Sequence, residues 1–156
     1  MIDLFRWFAG EELASVQASV ATEFWPIAQL EDTAFALFRT ASGVTCSLLV
    51  SLLEWKNRFE FEVTGERGAL RVEGLGGSYG PEGLTIIRRP EAFGVPEVET
   101  LEFENPDECW MAEWSEFTAA IREGRPPLGD VHDSLAALRA VEACYRSSRE
   151  QRAVPC

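Results

Sequence analysis

Lys56 is the only lysine in the 156 residues and His132 the only histidine, so few conventional proton-transfer groups exist outside the carboxylates. Basic residues are scarce altogether, 14 against 26 acidic ones, for a formal charge of -12. Phosphate neutralisation needs clustered Lys and Arg, so nucleic acid is excluded as an expected partner. The cysteines Cys46, Cys109, Cys144 and Cys156 contain no CxxC pair. With a single histidine beside them, neither a zinc site nor a disulfide framework is expected, and free buried thiols are. No apolar run approaches the ~20 residues that span a bilayer, which removes a membrane partner. Asp3 and Arg6 interrupt the short apolar opening and no small-residue cleavage site follows. A secretory signal is therefore not expected, and the chain reads as cytoplasmic.

What remains is 46% hydrophobic and 26% charged, the make-up of one globular domain with a sizeable core, expected over 1–156. The opening "MIDLFRWFAG" spaces Ile2, Leu4, Phe5, Trp7 and Phe8 at helical intervals and stops at Gly10. That helix has a stop but no Ser, Thr, Asp or Asn cap ahead of it. Strand patterns follow: "ASVQASVATEF" (14–24), "DTAFALFRT" (32–40) and "VTCSLLVSLLEW" (44–55), the last two joined by a short turn that predicts an antiparallel hairpin. In "RFEFEVTG" (58–65), Phe59, Phe61 and Val63 face one way and Arg58, Glu60 and Glu62 the other. "GERGALRVEG" turns into another strand, the glycine-rich "LGGSYGPEG" leads to "LTIIRR" (84–89), and "VETLEF" (98–103) closes the series.

Helical signals then take over. Asn105, Pro106 and Glu108 have capping spacing, and Trp110, Trp114, Phe117 and Ile121 form a stripe that predicts a buried helix face ended by Gly124. Asp130 and Asp133 suit the start of a last helix, whose predicted buried stripe is Leu135, Leu138, Val141 and Tyr145. About seven strands followed by two long helices give an α+β class: a predominantly antiparallel, mixed, open-faced sheet with helices on one face. The run 44–55 is apolar on both sides, so the open face is expected to meet a copy of itself, in a homodimer or tetramer.

Three stretches resemble the C-terminal domain of the Gfo/Idh/MocA oxidoreductases, the family of glucose-fructose oxidoreductase and inositol dehydrogenase. "MIDLFRWFAG" is similar to the end of the family's D-x-G-x-H-x-x-D helix, with Asp3 as the last Asp and the His immediately before Met1. "LLVSLLEWKNRFEFEVTGERGALRVEG" resembles the central hairpin, with Gly65, Gly68 and Leu70 as its G-x-x-G-x-L turn. "DSLAALRAVEACYRSS" resembles the closing helix at Asp133, Leu135, Ala143, Tyr145 and Ser147. The resemblance covers essentially the whole chain. It implies a two-domain enzyme in which a Rossmann domain holds NAD(P) and this α+β domain supplies substrate and subunit contacts. Residues 1–10 would then be the remnant of an interdomain helix. The Rossmann domain is absent from this sequence, as is the family's E-K-P lysine. "GLGGSYG" (74–80) lacks the strand-to-helix context of a dinucleotide loop. The implied reaction of a full-length protein is hydride transfer between NAD(P) and a sugar or cyclitol hydroxyl. This chain is expected to hold no cofactor, no catalytic residue and no activity of its own.

Six residues are substrate-contact candidates. Asp3 sits where the resemblance places an acid near substrate hydroxyls, though it equally suits a surface charge on a first helical turn. Trp55, Lys56, Asn57 and Arg58 combine an aromatic face with hydroxyl partners, as a sugar site requires; a core-edge Trp with a solvated flank fits the same residues. Tyr79 either lines the same cleft or packs over the sheet. Arg88 and Arg89 concentrate positive charge, but neighbours on a strand point to opposite faces. His132, Asp133 and Ser134 are contiguous at a helix start, where capping explains them better than a hydrolase triad. A stand-alone, non-catalytic binding or scaffold module derived from the same family is the alternative reading.

Overall fold

The computed structural model describes residues 1–26, 30–76, 79–104 and 108–156. The chain forms two compact units, Met1–Leu53 with Ser115–Cys156, and Glu54–Trp114.

In the first unit, α1 (Ile2–Ala9) has no side-chain cap at its start and ends on Gly10, whose φ of 68° lets its N–H reach the Arg6 carbonyl at 2.9 Å. Strands β1 (Leu13–Ala21), β2 (Thr33–Thr40) and β3 (Thr45–Ser51) form an antiparallel meander. From Phe35 onward the alternation of β2 divides its side chains between two faces. Ala36, Phe38 and Thr40 are buried on one face, while Phe35, Leu37 and Arg39 are exposed on the other. Strand β3 stops at Ser51, opposite Thr33, because its partner begins there; the apolar residues from Leu52 onward lie outside the strand.

Helix α3 (Val131–Glu150) lies on β1, capped as its sequence predicts: Asp130 accepts from the His132 and Asp133 N–H groups, and Asp133 returns a bond to the Asp130 N–H. Its buried stripe corrects the sequence reading. Ala140, Ala143, Cys144 and Ser147 face inward, whereas Leu135 and Leu138 are exposed. Small side chains let the helix backbone approach the strand, and Phe5, Val16 and Phe38 fill the space beneath. Among the four cysteines, only Cys144 is buried, and that burial pushes its thiol up to about 11.

The close approach also completes the edge of β1. The two-residue strand β8 (Val154–Pro155) pairs only with Ser15 and Val16. Farther along the same edge, the Ala18 N–H donates to Ser147 Oγ and the Val20 N–H to Ser148 Oγ, each at 2.9 Å. Ser147 Oγ in turn donates to the Arg152 carbonyl at 2.6 Å. Ser147 is 0% exposed, so no water replaces these bonds when the hydroxyl is removed. Ser147→Ala is expected to cost about 2 kcal/mol in urea denaturation, the penalty of a buried donor and acceptor left without partners. A loss below ~0.5 kcal/mol would contradict this account.

The second unit is an antiparallel sheet of β4 (Glu60–Gly65), β5 (Gly68–Glu73), β6 (Glu82–Arg88) and β7 (Glu97–Phe103), in that order. Register places Phe61, Val72, Leu84 and Leu101 in one row and Val63, Leu70 and Ile86 in the next on the same face. Glu60, Glu62, Arg71 and Glu73 occupy the other face, with an Arg71–Glu62 ion pair at 2.9 Å. The period of two read from residues 58–65 is therefore realised, in a strand that begins at Glu60.

Helix α2 (Cys109–Glu123) runs from the second unit into the first. Asn105 and Pro106, expected at its cap, lie outside the described residues. Its aromatic stripe corrects another expectation: Trp110 and Trp114 are 76% and 64% exposed, and the buried residue is Ala120. A helical period identifies residues that share a face but not which face is covered. Among the described residues, two antiparallel sheets and three helices make the fold α+β, with the strands divided between two four-stranded sheets. No helix among the described residues is long and apolar enough to cross a membrane.

Candidate functional site

Five of the six candidate residues come to one end of the second sheet. Trp55, Lys56, Asn57 and Arg58 lead into β4, and Tyr79 lies in the loop from β5 to β6. Glu60 faces Glu73 across the sheet, and the Gly74 N–H donates to the Phe59 carbonyl at 3.2 Å. The start of β4 and the start of the loop are thus adjacent. Gly74 is required there: at its φ of 81° a Cβ would stand 2.2 Å from the Pro81 carbonyl oxygen. This contact closes the neck of the loop, and the Gly76 N–H strengthens it by donating to Glu82 Oε1 at 2.6 Å. Tyr79, in this loop, is 39% exposed; Gly77 and Ser78 lie outside the described residues.

Trp55 is fully exposed, at 100%, with exposed Lys56, Asn57 and Arg58 after it. The core-edge reading of Trp55 does not hold within its unit. Arg58 donates to Glu60 Oε2 at 3.0 Å, and this bond raises the pKa of its guanidinium. Arg88 and Arg89 occupy the opposite end of the sheet. Arg88 pairs with Glu99 at 2.8 Å, and Arg89 donates to the Glu66 carbonyl at 3.3 Å, so neither joins the Trp55 group.

Asp3 belongs to the first unit, in a cluster not evident from sequence. The half-buried Arg6 donates through Nη1 to Asp3 Oδ1 (2.8 Å) and Asp133 Oδ1 (3.1 Å), and through Nε and Nη2 to Glu12 (2.8 and 2.6 Å). The Glu12 bond is the main cause that raises Arg6, and the same bond lowers Glu12. One guanidinium thereby ties the end of α1 to the start of β1 and the first turn of α3. A cleft of about 330 Å³ beside it is bordered by Arg6, Glu12, His132 and Arg139. Three carboxylates already share the Arg6 charge, so the cluster is net acidic.

Sequence reasoning also missed Asp32. This buried carboxylate accepts from three successive backbone N–H groups, of Glu23 (2.9 Å), Phe24 (2.8 Å) and Trp25 (2.9 Å). These bonds, that of Glu23 foremost, hold its pKa down to about 2. Its signal in sequence was slight: an acid two positions into the run after Leu30, in a chain rich in acids. A depressed folded-state pKa stabilises the native state fully above the unfolded value near 4, and that contribution is lost as pH falls through about 2. Asp32→Asn should therefore be less stable than the parent chain at neutral pH. The difference between them should shrink between pH 4 and 2 in denaturant titrations; a gap that is constant over that interval would refute the role of the carboxylate charge.

Every strand pair among the described residues is antiparallel, and the glycine-rich loop joins two strands instead of opening a helix. Among the described residues no group of three or more His, Cys, Asp or Glu side chains is placed to hold a metal.

A family model described as the C-terminal alpha/beta domain of the Gfo/Idh/MocA oxidoreductases matches residues 1–156. No curated protein matches the chain. Among solved structures, it is similar to the aldose-aldose oxidoreductase from Caulobacter crescentus complexed with glycerol, with 24% identity and a TM-score of 0.76 over 99% of this chain and 44% of that one. The WlbA dehydrogenase from Bordetella pertussis, in complex with NADH and UDP-GlcNAcA, is 25% identical with a TM-score of 0.69, over 99% of this chain and 42% of that one. A levoglucosan dehydrogenase in complex with NADH and levoglucosan has 18% identity and a TM-score of 0.79, over 99% and 47% respectively. The chain spans less than half the length of these relatives.

Proposed function

Because the chain belongs to the Gfo/Idh/MocA oxidoreductase family as its C-terminal domain, we propose that it is the substrate-binding and oligomerisation part of a cytoplasmic, NAD(P)-dependent oxidoreductase. Its substrate is a sugar or cyclitol hydroxyl, and both compact units serve as one functional domain. The observation that carries this reading is the fully exposed Trp55, followed in the chain by the exposed Lys56, Asn57 and Arg58 and leading into β4 at the end of the sheet where the β5–β6 loop begins.

A polyol offers C–H faces that stack on an aromatic ring and hydroxyls that both donate and accept. Trp55 supplies the ring, Lys56 and Arg58 supply donors, Asn57 supplies both polarities, and Tyr79 borders the group from the loop. Asp3 is held through Oδ1 by Arg6 and offers Oδ2 to a hydroxyl. These residues bind and orient; in this reading the nicotinamide cofactor is held by a separate Rossmann domain. That cofactor supplies the hydride chemistry when bound to its own domain.

The oligomerisation role rests on the outer face of the first sheet. Phe35, Leu37 and Leu49 are half-exposed there, flanked by Gln17, Ser19 and Ser47. Register brings Phe35 opposite Leu49, so the apolar residues form one patch that a second copy can cover. Leu37→Asp is expected to shift the mass seen by light scattering to that of a monomer. An unchanged assembly would place the interface elsewhere.

Calorimetry tests the division of labour: the chain alone should give no NADH heat, and myo-inositol or glucose binding should weaken by about tenfold in Trp55→Ala. Tight NADH binding would overturn the reading. The coding DNA upstream of Met1 gives an independent check, with an in-frame Rossmann segment expected; a stop codon and ribosome site there would support the stand-alone module instead.

A further inference from the structure

The connection from β1 to β2 presents an exposed aromatic pair that the Trp55 group does not account for. Phe24 and Trp25 are 67% and 45% exposed, and their rings meet at 89° with centroids 5.1 Å apart. Two rings at right angles form a corner, with one apolar wall for stacking and another for an edge contact. Exposed aromatics on a mobile chain would collapse onto the nearest apolar surface. Here the backbone beneath them is held instead, because Asp32 takes the N–H groups of both residues and of Glu23. Two further bonds fix the segment: Thr22 Oγ1 donates to the Leu30 carbonyl at 2.6 Å, and the Trp25 indole N–H donates to the Leu52 carbonyl at 3.3 Å. With its only polar group engaged, Trp25 offers a ligand nothing but its ring.

The charge of the connection itself bears on the choice of ligand. Between Arg6 and Arg39 the sequence contains no Lys or Arg, while Glu23, Glu31 and Asp32 lie in the connection itself. A phosphate or a nucleotide finds no counter-charge in this segment. A neutral polyol does not need one, and carboxylates accept its hydroxyls. Glu31 is engaged by the Tyr145 hydroxyl, so Glu23 is the acceptor beside the rings.

We propose that Phe24 and Trp25 form a second carbohydrate contact, an aromatic corner that stacks a neutral sugar ring. The proposal rests on the sugar or cyclitol reading above for the class of ligand, and it adds a specificity determinant in the other compact unit.

Proton–nitrogen NMR spectra of the 156-residue chain test this through indole N–H signals, with that of Trp25 assigned by its loss in Trp25→Phe. The probes are methyl β-D-glucopyranoside, glucose 6-phosphate and a tetralysine peptide. The glucoside is expected to shift the Trp25 signal saturably. Phe24→Ala, which leaves the backbone bonds to Asp32 intact, should weaken that titration by about fivefold. Trp55→Ala should leave it in place. If the glucoside moves the Trp55 signal and not that of Trp25, the sugar reading stands and the corner is refuted. If the glucoside moves neither, both fail. A Trp25 response to tetralysine or to the phosphate alone overturns the corner in favour of a charged partner. The parent-chain titration decides these cases even where a variant fails to fold.

Discussion

The seam between α3 and β1 is the constraint on which the first unit depends. A strand needs partners for its edge, and β8 is only two residues long. Without Ser147 and Ser148, the N–H groups of Ala18 and Val20 would face a helix that cannot bond them. The helix can reach them because its inward stripe is built of alanines, a cysteine and a serine. Small size and a hydroxyl at one position thus solve a packing problem and a hydrogen-bonding problem together. The Arg152 carbonyl, bound by the same Ser147 hydroxyl, brings the chain toward β8 and closes the sheet.

The seam leaves the opposite side of the sheet bare. Because α3 covers only one face, the alternation in β2 sends Phe35 and Leu37 outward. In the second unit the apolar row is buried at Phe61 (8% exposed) and opens toward Val72 and Leu101 (39% and 41%). The polar features fall at the margins of the sheets: the Arg6 cluster at the start of β1, the Asp32 turn where β1 gives way to β2, and the Trp55 group before β4. The Arg6 cluster is held by a multidentate guanidinium and the Asp32 turn by three backbone N–H groups.

Much of the architecture was legible in the chain. The alternation in 58–65, the Gly10 stop and the Asp130 cap each depend on neighbours within a few residues, and each is present. The candidate site was legible in part. Trp55 to Arg58 stood out as an aromatic beside the lone lysine, and the sheet brings Tyr79 to the same end. Asp32 and Arg6 were not legible. Their importance comes from convergence on one carboxylate or one guanidinium, and no local pattern distinguishes them from other acids and arginines.

By itself the sequence determined the order of the main elements, the alternating faces of the strand in 58–65 and the acidic net charge. These are local or additive properties. Only the tertiary structure decided that α3 buries its small stripe and exposes Leu135 and Leu138, that Trp110 and Trp114 remain outside, and that the strands divide into two sheets. The reason is physical: periodicity states which side chains share a face, but the covering of a face depends on how closely distant backbones approach. That approach was set here by residue size and by the hydrogen bonds of buried serines.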